Sequence, residues 1–376
     1  MTFDISAVEL PRLIQQNWRM LDVRAPIEVQ QMGIPGAVNL PILNDEEREK
    51  VGTCYKQVGR EAAMELGQKL VSGSLREQRI HAWCELLRAK ENTIIFCYRG
   101  GLRSKITQAW CREAGVHRPR IEEGYKGLRA TLLKATEDFV SLGRLVIIGG
   151  TTGAGKTDLL RALPSSKNYL DLELYADHKG SAFGKSLQPQ PSQTTFENQL
   201  AWSLIKNLEN DFSGLQFVED ESRLIGRIVQ PDRFFLKLRE SPLLFVDESL
   251  ESRTEQILKD YVIEPLAGGS SSNQNELFAS WFLRLQTATK NISKRLGGVR
   301  TQEILLDLDR ARLAYELAES SFLDSNRIWI RKLLEWYYDP LYLDSLAKRN
   351  PKILFRGSHS EVLKVAQEMC LARPDK

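Results

Sequence analysis

The chain has 376 residues, 42% of them hydrophobic and 27% charged, and carries a formal net charge of +3. That is the composition of a water-soluble protein of two or three domains, each able to bury its own core. No apolar run approaches the roughly 18 residues a membrane span needs, and +3 is too small a charge to mark a nucleic-acid binder by itself. The N-terminus, Met1-Thr2-Phe3-Asp4, lacks the basic and then apolar pattern of a secretory signal, so a cytoplasmic protein is expected. Five cysteines, Cys54, Cys84, Cys97, Cys111 and Cys370, form no CxxC pair and no cluster with the four histidines, which argues against structural zinc. Their odd number and a reducing compartment argue against a disulfide framework.

Up to about Gly127, short apolar runs alternate with helical patterns, as in Trp18 to Val23, Glu46 to Leu70 and Ile80 to Leu87. This is α/β patterning with a parallel sheet. Thr93-Ile94-Ile95-Phe96 reads as a buried strand and Ser104 to Ala114 as a helix, so Cys97 heads a loop of backbone amides. The loop, Tyr98, Arg99, Gly100, Gly101, Leu102, Arg103 and Ser104, is an anion cradle. A thiolate there is stabilised by the helix N-terminus, the amides, Arg99 and Arg103, which predicts a lowered pKa and a nucleophile. The competing reading is a buried cysteine packing at a strand end; two glycines and two arginines within six residues are more than such an end requires.

A helix from about Leu128 to Val140 leads to the β-branched strand Arg144 to Gly149. That strand runs into Gly150-Thr151-Thr152-Gly153-Ala154-Gly155-Lys156-Thr157, which matches GxxxxGK[ST] in full and precedes the helical Asp158 to Leu163. Strand, loop and helix are the context this phosphate-binding motif needs. The glycines let amides approach phosphate oxygens, Lys156 neutralises the terminal phosphate, and the Thr157 hydroxyl can ligate Mg²⁺. Leu215 to Val218 is an apolar strand closing on Glu219-Asp220-Glu221, with Asp220 the candidate metal acid; Leu243 to Val246 closes on Asp247, and the choice between Asp220 and Asp247 is open. A solvated strand end is an equal alternative. Asp171-Leu172-Glu173 follows a short run, and His178 reads as an ordinary loop histidine.

Gly268 to Asn273 reads as a flexible loop. Helices follow over Asn275 to Leu296, Thr301 to Phe322 and Asn326 to Leu346. From Arg327 to Arg356 there are seven lysines and arginines against three acids, a local balance of +4. Arg327, Arg331, Lys332, Lys348 and Arg349 are therefore the nucleic-acid candidates, weighed evenly against an aromatic stripe that is simply core. The expected organisation is an N-terminal parallel-sheet domain over 1–140, a P-loop α/β domain over 141–270, and a helical region over 271–376, either separate or part of the P-loop domain.

Leu21-Asp22-Val23-Arg24, Gly33 to Pro41, the Cys97 loop and Glu123-Gly124-Tyr125-Lys126 together resemble a rhodanese module covering the first third of the chain. Five residues separate Cys97 from Arg103, one more than in the usual sulfurtransferase loop, which suits a bulkier anion such as a phosphate-bearing chalcogen donor. A rhodanese cysteine joined to a P-loop domain resembles the bacterial tRNA 2-selenouridine synthases. Val51-Gly52-Thr53-Cys54-Tyr55-Lys56, Gly180 to Gly184, Phe196-Glu197 and Glu219 to Gly226 match that family as well. The resemblance implies a transferase that replaces sulfur by selenium at C2 of 5-substituted 2-thiouridine in the tRNA wobble position. It further implies selenophosphate as donor, an S-geranylated intermediate made from geranyl diphosphate, and Cys97 carrying selenium as S-selanylcysteine with Arg103 binding the phosphate. Its partners would be tRNA and these two small molecules, with no membrane and a monomer as the default. Two other classes stay open: a nucleotide-dependent, ATPase- or kinase-like tRNA sulfurtransferase, and a binding module in which neither site reacts.

Overall fold

The computed structural model describes residues 4–163, 168–181, 183–184, 189–209, 211–267 and 274–371. The glycine- and serine-rich stretch 268–273, expected to be a flexible loop, lies outside them. Two compact units result, Met1–Gly143 with Pro191–Gly214, and Arg144–Gln190 with Leu215–Lys376.

In the first unit, strands β1 (Arg19–Asp22), β2 (Ala37–Asn39) and β3 (Thr93–Phe96) form a parallel sheet in the order β2-β1-β3. Alternation sends Met20, Ile94 and Phe96 into one core with Leu10, Leu13, Leu128 and Leu132, and Leu21, Ile95 and Cys97 into another with Trp83, Leu87 and Cys111. Burial of β3 on both faces is why it reads as a continuous apolar run. The expected helical run Glu46 to Leu70 is two helices, Asp45–Gln57 and Arg60–Leu70, separated at Gly59, whose φ of +114° no β-carbon tolerates readily.

Residues 141–270 were expected to form one P-loop domain, but Pro191–Gly214 belongs to the first unit. Its helix, Gln193–Leu208, puts Ala201 and Ile205 into the core with Leu10 and Leu128, while Asn198 donates to Gly33 O at 2.6 Å and accepts from Arg129 Nη1 at 2.7 Å. Amphipathic periodicity identifies such a helix without saying which sheet it covers.

In the second unit, β4 (Arg144–Gly150), β5 (Tyr169–Leu170), β6 (Leu215–Glu219), β9 (Leu243–Val246) and β10 (Ile353–Gly357) form a parallel sheet in the order β10-β9-β4-β6-β5. The short strands β7 (Leu224–Ile225) and β8 (Ile228–Val229) pair separately. With β4 flanked by β6 and β9, the crevice beyond its C-terminal end is where open α/β sheets bind ligands. The longer helices between β9 and β10 are Leu250–Leu258, Gln274–Asn291, Gly298–Glu316, Phe322–Leu333 and Asp339–Arg349. The first four share one core through Leu258, Trp281, Leu308, Trp329 and Leu333. The expected helix over Asn326 to Leu346 is interrupted by a π-helical turn, Leu334–Tyr338.

Candidate active sites

The Cys97 loop joins β3 to the helix Leu102–Glu113. Cys97 is buried, with Sγ 3.2 Å from Ser104 Oγ, which in turn donates to Gly101 O at 3.3 Å. The loop is locked to the next one by close backbone approach: Cys97 O accepts the Tyr125 amide at 2.8 Å and Tyr98 O accepts that of Lys126 at 3.1 Å. Gly100 and Gly124 permit this. Both have φ near +60°, and a β-carbon on Gly100 would stand 1.5 Å from Glu122 O, one on Gly124 2.4 Å from Cys97 O. Beneath the loop, Arg24 pairs with Asp22 at 2.5 Å with both side chains fully buried, and lies 4.3 Å from the Tyr125 ring centroid. These are supports of the loop. Burial raises the Asp22 carboxyl despite the Arg24 hydrogen bond.

Arg103 is held by a residue that the sequence did not single out. Its Nη1 lies 2.5 Å from Glu28 Oε2 and its Nη2 3.0 Å from Oε1, and Arg48 approaches the same carboxylate at 3.2 Å. Burial pushes Glu28 up, but the hydrogen bond and charge of Arg103 outweigh it and leave the carboxyl below its usual range. Arg103 is raised: burial opposes its charge, and Glu28 with the nearby Cys97 more than offsets that. The cation of the loop thus already carries a counter-ion. Arg99 and Leu102 are exposed, and Tyr98 stacks on Tyr125.

In the second unit the octet Gly150 to Thr157 turns from β4 into the helix Lys156–Arg161, with positive φ at Gly150, Gly153 and Gly155. Lys156 Nζ donates to Gly150 O at 2.9 Å. The loop is braced from the helical region: Arg253 grips Asp339 through both nitrogens at 2.8 Å and donates to Thr152 O at 3.2 Å. A cavity of about 1190 Å³ opens at the loop.

The acid beside Thr157 is Glu219, not Asp220. The Thr157 hydroxyl lies near enough to Glu219 to favour its ionised form, whereas Asp220 accepts from Arg349 at 2.6 Å through Oδ1 and from Tyr342 at 3.0 Å through Oδ2. Successive residues at a strand end point to opposite sides, so adjacent acids part company. Asp247 is half exposed and pairs with Arg356 at 3.0 Å. Glu219, Glu221 and Glu173 each offer a carboxylate oxygen within 4.8 Å of the others, and Glu219 Oε1 is buried without a hydrogen-bond partner. Burial and then the charge of Glu173 push Glu219 up to about 8, and the same causes raise Glu221. Three carboxylates crowded this way are short of a cation, and oxygen donors suit Mg²⁺.

With the geometry laid out, likeness to known proteins can be stated. A family model described as the tRNA 2-selenouridine synthase AAA domain matches residues 143–372. A protein named tRNA 2-selenouridine synthase from Bdellovibrio bacteriovorus is 43% identical, over 97% of this chain and 99% of its own. Those of the same name from Nitrosomonas europaea and Pseudomonas fluorescens are each 43% identical, over 97% and 92% of this chain and 98% and 93% of theirs. The chain belongs to the tRNA 2-selenouridine synthase family.

For a synthase of this family the basic candidates are placed unexpectedly. Arg327 pairs with Glu255 and Asp324, Arg331 with Glu251 and Glu335, Lys332 with Asp307 and Glu303, and Lys348 with Asp344. Arg349, expected to meet nucleic acid, has a side chain only 4% exposed and is spent on Asp220. The local +4 is therefore largely matched by acids on other helices, Glu251, Glu255, Glu303 and Asp307, and by Asp220. Among the synthase residues that sequence reasoning missed, Glu219 and Glu221 stood in the quoted acidic run and Glu173 in Asp171-Leu172-Glu173; Glu28 left no signal of its own. No helix among the described residues is long and apolar enough to cross a membrane.

Proposed function

We propose that this chain replaces sulfur by selenium in 2-thiouridine of tRNA, in the cytoplasm, by a route in which its two anion sites divide the work. The observation that carries this reading is family membership across nearly the whole chain, together with a Cys97 loop and a P-loop that are both complete. In the first step the thione sulfur forms a bond to C1 of geranyl diphosphate as the C–O bond breaks and the N3 proton is released. Diphosphate departs with the charge that Lys156 and the loop amides neutralise. In the second step selenium from selenophosphate takes the place of the alkylated sulfur at C2, geranyl thiol leaves, and water takes up the phosphoryl group. Cys97 handles the chalcogen and Arg103 its phosphate.

The carboxylates of Glu173, Glu219 and Glu221 with the Thr157 hydroxyl fit Mg²⁺, which when bound supplies positive charge toward the diphosphate. Glu219 takes the place in this set that Asp220 was expected to hold. The test is nucleoside mass spectrometry of 2-thiouridine tRNA incubated with the purified protein, geranyl diphosphate and selenophosphate. Geranylated and then selenium-bearing nucleoside is expected. Neither product, with tRNA-stimulated phosphate release from ATP instead, would overturn the reading in favour of a nucleotide-dependent enzyme.

A further inference from the structure

The P-loop cavity has unlike walls. Toward β6 it is acidic, whereas beside Thr152 it borders a narrow cleft, which shares Thr152, Phe183, Ile257 and Tyr338 with it. Trp329, Ile330, Leu333 and Leu334 add apolar walls to the cleft, which holds about 20 Å³, room for roughly one water. Several of its polar atoms are engaged within the protein. Ser181 Oγ and Tyr261 Oη hydrogen-bond each other at 3.0 Å, and Thr152 O receives Arg253 at 3.2 Å. Two π-helical turns, Lys259–Ile263 and Leu334–Tyr338, supply Tyr261, Leu334 and Tyr338 to this wall. Such turns are rare and concentrate at functional sites. Ile257 joins the cleft to the phosphate loop: a β-carbon on Gly153 would stand 3.0 Å from Ile257 Cγ1.

We propose that this cleft receives the hydrocarbon end of a prenyl diphosphate whose phosphates rest on the P-loop, with Ile257 setting the accepted chain length. The proposal rests on the reading that the P-loop takes a prenyl diphosphate. A nucleobase placed here would find few partners for its several donors and acceptors among mostly apolar side chains. A prenyl chain has none to satisfy and gains by leaving water. Ten carbons exceed the present cleft, so Phe183 and Tyr338, both only partly buried, must turn aside as the chain enters, its remainder lying along the larger cavity.

The experiment uses the full-length protein and its Ile257→Ala and Ile257→Phe variants. Initial rates of tRNA S-prenylation are measured with dimethylallyl, geranyl and farnesyl diphosphates, and inhibition by inorganic pyrophosphate is measured alongside. Ile257→Ala is expected to raise the farnesyl-to-geranyl rate ratio by roughly tenfold, and Ile257→Phe to raise the dimethylallyl-to-geranyl ratio similarly. Pyrophosphate inhibition of Ile257→Ala should stay as in the unmodified protein, because that change only removes atoms beside the phosphate loop. Ratios do not depend on the folded fraction, and Ile257→Ala alone decides should the larger residue prevent folding. Unchanged ratios in a variant that still prenylates overturn the cleft and leave the proposed function standing. An unmodified protein that prenylates with none of the three overturns the underlying reading and the cleft with it.

Discussion

Arg349 Nη1 lies 2.6 Å from Asp220 Oδ1, in an ion pair whose side chains are 4% and 6% exposed. The other Asp220 oxygen takes the Tyr342 hydroxyl, which itself accepts the Gly150 amide at 2.8 Å, so the helix Asp339–Arg349 is tied to the first residue of the P-loop. Removing one partner of a buried pair strands the other, at about 3–5 kcal/mol. Arg349→Ala should therefore destabilise the protein by that order in urea unfolding, while the salt dependence of tRNA binding stays unchanged. A slope reduced by about one, with stability intact, would return Arg349 to the RNA.

Asp220→Asn and Glu219→Gln should differ in Mg²⁺ binding. The Asp220 oxygens are occupied, whereas Glu219 Oε1 is buried and unpartnered beside Glu173 and Glu221. Calorimetric titration with Mg²⁺ should show a marked loss of affinity for Glu219→Gln and little change for Asp220→Asn. The reverse order would restore Asp220 as the metal acid.

The same site gives a pH dependence. Burial and Glu173 raise the folded Glu219 carboxyl from 4.5 to about 8, so between these values the folded state holds a proton that the unfolded state has lost. Stability of the metal-free protein should therefore be fullest below about pH 4.5 with respect to this group, and fall as pH rises through 8. Thermal unfolding in a chelator should show that decline, and Glu219→Gln should flatten it.

Arg103 and Glu28 should act with opposite signs. Arg103→Ala removes the cation proposed to face the phosphate of selenophosphate and should weaken its apparent affinity by roughly 2–5 kcal/mol. Glu28→Gln removes the counter-charge that now engages that cation and should tighten the affinity. If both substitutions weaken it equally, the pair is only a brace for the loop.

Cys97→Ser and Lys156→Ala should stop the reaction at different points. The first is expected to accumulate geranylated tRNA without selenium, and the second to block geranylation but recover much activity on tRNA already geranylated. A Lys156→Ala protein that remains folded, binds geranylated tRNA and still does nothing with it would make the P-loop a coupling element instead.

What the sequence by itself determined lies in short contiguous runs: the Cys97 loop between a strand and a helix, and the octet Gly150 to Thr157 between another strand and helix. A run of this kind sets its own backbone path, because glycine placement and the strand and helix periods on either side are local properties. The tertiary structure alone decided that Glu28 sits on Arg103, that Glu173 and Glu221 join Glu219, that Asp220 turns to Arg349, and that Gln193–Leu208 packs in the first unit. Each of these depends on which way a side chain leaves its strand and on which element lies opposite. Strand alternation and sheet order settle both, and neither is written in the residues next to the one concerned.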